Sequence, residues 1–153
     1  MDKVTINWSE GCIRYEQLSN SNHEYLDEYG FYAILTGVYD KEENTNKSIK
    51  LQYIGKAYEQ KIRKRVMQEH TAYECIKKHL KENPGRNVLV MTGKIVKSSL
   101  GKITRQLVDD TEACLIYTNQ PSCNAMFKNS YEGRAIEIIN TGDYSPLKEK
   151  SVG

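Results

Sequence analysis

Two runs of aromatic and β-branched residues, Phe31 to Val38 and Ile49 to Gly55, flank a polar stretch, Asp40 to Lys47 (DKEENTNK). Runs of this length and composition form strands, and the polar segment between them lets the two fold back on each other. Residues 30–55 therefore read as a β-hairpin with a long loop, around which the rest of the chain must pack. The period then changes. From Glu59 to Lys81, apolar side chains fall at Ile62, Val66, Tyr73, Ile76 and Leu80, the spacing of one helix face, and Asn83-Pro84-Gly85 stops the helix. Asn87 to Lys97 (NVLVMTGKIVK) returns to a strand pattern with Gly93 at a candidate bulge, and Ile103 to Thr118 to a helix ended by Asn119-Gln120-Pro121. Arg134 to Asn140 (RAIEIIN) is a last strand, expected at an edge. Residues 1–29 are polar and read as irregular, with Trp8, Ile13, Tyr15 and Leu18 as anchors against the core. The order is β-β-α-β-α, a mixed α+β pattern.

With 153 residues, the simplest organisation is one domain with a core of its own. No apolar stretch approaches the length needed to span a bilayer, and Met1 to Asn7 lacks the apolar centre of a signal peptide, so the expected location is the cytoplasm. Cys12, Cys75, Cys114 and Cys123 show no C-x-x-C pairing and no histidine at zinc-ligand spacing, so they are expected to be reduced and structural. Net charge is only +2, but it is unevenly placed. Lys47, Lys50, Lys56, Lys61, Arg63, Lys64 and Arg65 crowd one stretch, followed by Lys77, Lys78 and Lys81. A basic face of this kind can engage phosphates in a protein that is near neutral as a whole; a solvated lysine-rich helix has the same composition.

One set of polar residues is dispersed along this framework in a fixed order. Gly30-Phe31-Tyr32 opens the first strand and Tyr53-Ile54-Gly55-Lys56 closes the second; Arg63 and Arg65 lie in the following helix, Glu112 in the later one, and Asn124 twelve positions on, past Pro121. This order resembles the catalytic module of the GIY-YIG nuclease superfamily, metal-dependent enzymes that hydrolyse nucleic-acid phosphodiesters. The first triplet is GFY here, and YIG is intact. The resemblance covers about residues 29–127. It leaves 1–28 as an N-terminal extension and 128–153 as a C-terminal segment packed on or trailing the domain. The fold it implies is α+β (mixed α/β), a small, largely antiparallel three-stranded sheet flanked by helices.

Phosphodiester hydrolysis needs an activated water, charge stabilisation at phosphorus and help for the departing alkoxide. Glu112 lies in line with the apolar residues Val108 and Ile116; taken alone it is a helix-edge glutamate with its head in water. The resemblance makes it the metal-binding glutamate, a hard oxygen ligand for one Mg²⁺ or Mn²⁺. Tyr32 and Tyr53 occupy the two tyrosine positions of the family. A phenol becomes a base only where nearby cations favour the phenolate, and Lys56 is placed to help and to bind phosphate. Tyr32 is the preferred base, with Tyr53 orienting the water or phosphate. The family's phosphate-clamping arginine maps to Arg65, with Arg63 open if the helix is rotated. His70 stands five residues after Arg65 and seven after Arg63, so it acts with Arg63 or not at all. Asn124 is given a positioning role, hydrogen bonding to backbone or to other site residues.

The expected function is thus a metal-dependent endonuclease acting on DNA, double-stranded in the first instance, in a restriction-like or repair-like role. The alternative is a nucleic-acid binding module that keeps the fold with little or no activity. An enzyme cutting both strands of a two-fold site would be a homodimer.

Overall fold

The computed structural model describes residues 1–68 and 72–153. Its strands are β1 (Asp2–Trp8), β2 (Ile13–Arg14), β3 (Gly30–Asp40), β4 (Thr45–Ala57), β5 (Asn87–Ser98), β6 (Ile136–Gly142) and β7 (Lys150–Val152). The helices are α1 (Ile62–Met67), α2 (Ala72–Glu82) and α3 (Arg105–Asn119). All seven strands join one curled, half-barrel sheet in the order β4-β3-β5-β1-β6-β7, with β2 beside β5. Strand makes up 37% of the chain and helix 23%, so the architecture is mostly β. This corrects the expectation of a small three-stranded sheet flanked by helices.

The reason lies at the two ends of the chain. Asp2–Trp8 buries Val4, Ile6 and Trp8 in strict alternation, the period of a strand with one covered face. It pairs antiparallel with β5 and parallel with β6. The N-terminal residues are therefore an inner strand, and β6, expected at an edge, lies between β1 and β7. Inside the sheet, the Trp8 indole N–H donates to the Asn140 side chain at 2.9 Å, which satisfies both buried groups across the parallel pair.

The central hairpin forms as the pattern predicts. Phe31 to Gly37 is buried throughout, because both faces of β3 are covered. Phe31, Ala33 and Leu35 face a core shared with Leu107, Leu115 and Ile116 of α3. Tyr32 and Ile34 face a second core with Ile62, Val66 and Ile76 of α1 and α2. The single helix expected over residues 59–81 is divided. Gln68 is extended, with ψ 141°, and α2 begins at Ala72. The apolar positions Val66 and Tyr73 are two helical turns apart, so the periodicity runs across the break without marking it. α1 begins where carbonyls of the 26–28 loop accept its first amides: Ile62 N–H donates to Glu28 at 2.9 Å and Arg63 N–H to Leu26 at 2.8 Å.

Two further expectations are corrected. Cys75 and Cys123 are joined in a disulfide with Cα atoms 5.6 Å apart, while Cys12 and Cys114 are free. The β5 bulge is opposite Thr5 and Ile6, where the register skips Val96, and not at Gly93. Gly93 is required for another reason: a Cβ there would lie 2.8 Å from the buried Trp8 indole. Gly93→Ala should therefore destabilise the fold by about 1–3 kcal/mol through overpacking. A urea midpoint unchanged from wild type would mean that Trp8 has room to move.

Candidate functional site

β4 is an edge strand, and an edge is where both faces of a sheet can reach one point. Residues 53 and 56 of a strand project to opposite faces, yet Tyr53 and Lys56 line the same pocket, which wraps the edge. From one side α1 contributes Arg65; from the other α3 contributes Glu112. Tyr58, Gln60 and Arg105 complete the wall of a cavity of about 260 Å³.

The segment after α3 holds this edge in place. Asn124 is buried; its Oδ1 accepts the Ile54 N–H at 2.9 Å and its Nδ2 donates to the Ile54 carbonyl at 3.0 Å. One side-chain amide thus imitates a neighbouring strand and satisfies both outward backbone groups between Tyr53 and Gly55. Cys123 N–H donates to the Gln52 carbonyl at 2.6 Å and extends the same contact. Since residues 122–124 follow α3 directly, this pairing fixes the distance from Glu112 to β4.

Glu112 is only 13% exposed. Its carboxyl lies 4.0 Å from the Lys56 ammonium, which is itself paired with Asp109 one turn earlier on α3. Burial pushes the Glu112 pKa up to about 7, with Lys56 and Arg65 pulling against the shift and Asp109 adding to it. This is a carboxylate that gains from the arrival of a cation. Among the described residues no group of three or more His, Cys, Asp or Glu side chains comes together to hold a metal. A Mg²⁺ or Mn²⁺ bound through one carboxylate, water and substrate phosphate needs no such cage, and Glu112 fits that role.

The tyrosines separate in role. Tyr32 stands opposite Gly55 in the β3–β4 register, and its ring lies across the glycine, where a Cβ would fall 2.4 Å from the phenol. Tyr32 is 0% exposed, and burial raises its pKa far above the usual phenol value, with Tyr53 adding to the rise. It does not line the pocket. The expectation of Tyr32 as the base meets a hydroxyl that is buried and outside the pocket lining. Of the two motif tyrosines, Tyr53, its ring 6.1 Å from that of Tyr32, is the one in the pocket wall. Its pKa is also raised, by burial first and then by Glu112, with Arg65 opposing.

The arginines separate too. Arg63 is bound to Asp27 at 3.0 and 3.1 Å, to the Ser21 carbonyl at 2.7 Å and to the Leu18 carbonyl. It staples the N-terminal loop to α1 and is committed there. Arg65, two residues on, faces the pocket. His70 lies outside the described residues. Arg105, Tyr58, Gln60 and Asp109 were not singled out from the sequence. Arg105 sits 4.7 Å above the Tyr58 ring and bonds Glu59 at 3.1 Å, an arrangement made by the fold and carried by no local motif. The only sequence signal was an aromatic residue two places after Lys56 and an arginine opening the helix that carries Glu112.

Among the described residues, no helix is long and apolar enough to cross a membrane. No protein-family model, no curated protein and no solved structure matches this chain.

The raised Glu112 pKa has a signed consequence for stability. In the folded chain the carboxyl keeps its proton to about pH 7, against 4.5 ordinarily, so the folded state binds more protons between those values. Stability then falls as pH rises through that window. In metal-free buffer, Glu112→Gln should be more stable than wild type above neutrality by about 2–3 kcal/mol relative to their difference at acid pH. A pH-independent difference in unfolding free energy between the two proteins would refute the buried-carboxylate account.

Proposed function

We propose that the chain is a metal-dependent phosphodiesterase acting on nucleic acid, DNA in the first instance, as the resemblance of its GFY, YIG-Lys, Arg, Glu and Asn residues to GIY-YIG nucleases suggests. The observation that carries the reading is the pocket at the β4 edge. There a largely buried carboxylate, Glu112, shares the lining with Lys56, Arg65 and Arg105, and with Tyr53 and Tyr58.

Lys56, Arg65 and Arg105 supply positive charge for a phosphate that must shed water to enter. Glu112 would hold the Mg²⁺ or Mn²⁺. A bound divalent cation would supply charge stabilisation to the phosphoryl and departing oxygens. Tyr53 is the hydroxyl that meets the attacking water and aligns it with phosphorus. It accepts the water's proton only once cationic neighbours outweigh burial and the Glu112 charge in favour of its phenolate. Water oxygen bonds to phosphorus, the bond to the leaving sugar oxygen breaks, and that alkoxide takes a proton from solvent. Tyr32 and Asn124 act on the site indirectly: Tyr32 supports Gly55 and Tyr53 from beneath, and Asn124 fixes the strand that bears Tyr53.

A nucleic-acid binding module with little activity remains the second reading. It is favoured by the pairing of Lys56 with Asp109, which occupies the lysine expected to serve the phosphate.

The two readings part on one experiment. Supercoiled plasmid incubated with Mg²⁺, Mn²⁺ or EDTA should be nicked or linearised only with metal, and Glu112→Gln should lose at least about a hundredfold in rate. Arg65→Ala should cost more activity than Arg63→Ala, whose loss should appear mainly as lowered stability. Metal-dependent cleavage undiminished in Glu112→Gln would remove the metal-ligand assignment; DNA binding without cleavage by wild type would favour the binding module.

A further inference from the structure

Beside the phosphate pocket is a larger cavity of about 650 Å³, and Tyr58 stands in the wall of both. Their chemistry differs. The smaller is lined by Lys56, Arg65 and Arg105 together with Glu112. The larger is walled by Tyr29, Tyr58, Phe31 and Ile95, and its charged residues are Asp27, Glu28 and Glu59 against Lys94 alone. Each of these acids is ion-paired, Asp27 with Arg63, Glu28 with Lys94 and Glu59 with Arg105, so the cavity has no excess positive charge to draw in a phosphate. A flat, uncharged group with apolar faces and polar edges suits it better.

The aromatic walls are suited to such a group. Tyr29 is 54% exposed, and its ring lies 6.4 Å from that of Tyr58 at an angle of 57°; both residues line the cleft. Arg105 lies over the Tyr58 ring and also lines the phosphate pocket, which ties the two cavities together. Glu28 and Lys94, paired across the cavity wall, present one acceptor and one donor to an incoming polar edge. A nucleotide carries a flat heterocycle at short reach from its phosphate, and the two cavities adjoin at Tyr58.

We propose that the larger cavity is a base-binding subsite that receives the nucleobase of an unpaired nucleotide whose phosphate occupies the pocket of Lys56, Arg65 and Arg105. The substrate class is then nucleic acid with a bulged, mismatched or single-stranded nucleotide at the cleavage point, since a base held in an intact duplex stack cannot enter a side cavity. This rests on the phosphodiesterase reading of the neighbouring pocket and adds the substrate to it.

The test is fluorescence anisotropy on the Glu112→Gln protein, with a labelled DNA duplex carrying one unpaired nucleotide and the same duplex fully paired. The bulged duplex should bind about tenfold or more tightly, within the range that base–aromatic stacking supplies. Adding Tyr29→Ala, a change at a half-exposed ring, should erase that preference and leave the paired duplex unaffected; Tyr29→Phe should keep it. Equal affinity for the two duplexes, or a preference that survives Tyr29→Ala, overturns the proposal, as does failure to bind either. Plasmid cleavage by wild type then shows what fell: cleavage without a bulge preference removes the base subsite alone, whereas neither cleavage nor binding removes both readings.

Discussion

The two hydrogen bonds between the Asn124 amide and the backbone of Ile54 hold the rest of the site in register. An edge strand leaves alternate N–H and C=O groups unpaired, and buried ones are costly if left so. Asn124 meets both groups of one residue, and that residue lies between Tyr53 and Gly55. The same few residues carry Cys123, joined to Cys75 of α2. Strand β4, helix α3 and helix α2 are thereby tied at a single point, with the pocket beside it. Gly55 completes the arrangement from within the sheet, since only a residue without Cβ lets the Tyr32 ring lie across β4.

Around that point the charges are set against one another. Burial disfavours the Glu112 anion, and Lys56 and Arg65 restore part of what burial removes. Its pKa is held above the usual carboxylate range, so an added cation favours its charged form. Both tyrosines are held neutral for the related reason that burial and the Glu112 charge oppose a phenolate. The site at rest thus resists charging, and its chemistry depends on what it binds.

Much of the centre of this structure was legible in the sequence, and little of its periphery. The hairpin, β5 and α3 follow from local periodicity, because their buried residues are close in sequence and regular. Tyr53, Lys56, Arg65 and Glu112, each singled out from the sequence, line one pocket, and Asn124 is bonded to the strand beside it. The parallel pairing of Asp2–Trp8 with Ile136–Gly142 was not legible: it joins the two ends of the chain, and nothing local distinguishes an inner strand from an anchored tail. The alternation of Val4, Ile6 and Trp8 was a signal too short to carry a topology. The division of the helix at Gln68 was concealed by a gap of two full turns in its apolar face. Arg63 and Arg65 differ by two residues and are chemically alike. What separates them is Asp27 and two carbonyls of the N-terminal loop, whose path no periodicity reveals. Tyr58 and Arg105 meet only in the folded chain.

The central claim is that Glu112, flanked by Lys56 and Arg65, is the point at which a divalent cation enters this pocket. It is tested most directly by following carboxyl and backbone NMR signals of the wild-type protein during a Mg²⁺ titration. The account predicts a saturable shift of the Glu112 carboxyl, accompanied by Tyr53, Lys56 and Arg65 and absent in Glu112→Gln. A Glu112 signal that stays in place while Mg²⁺ moves other carboxylates would contradict it.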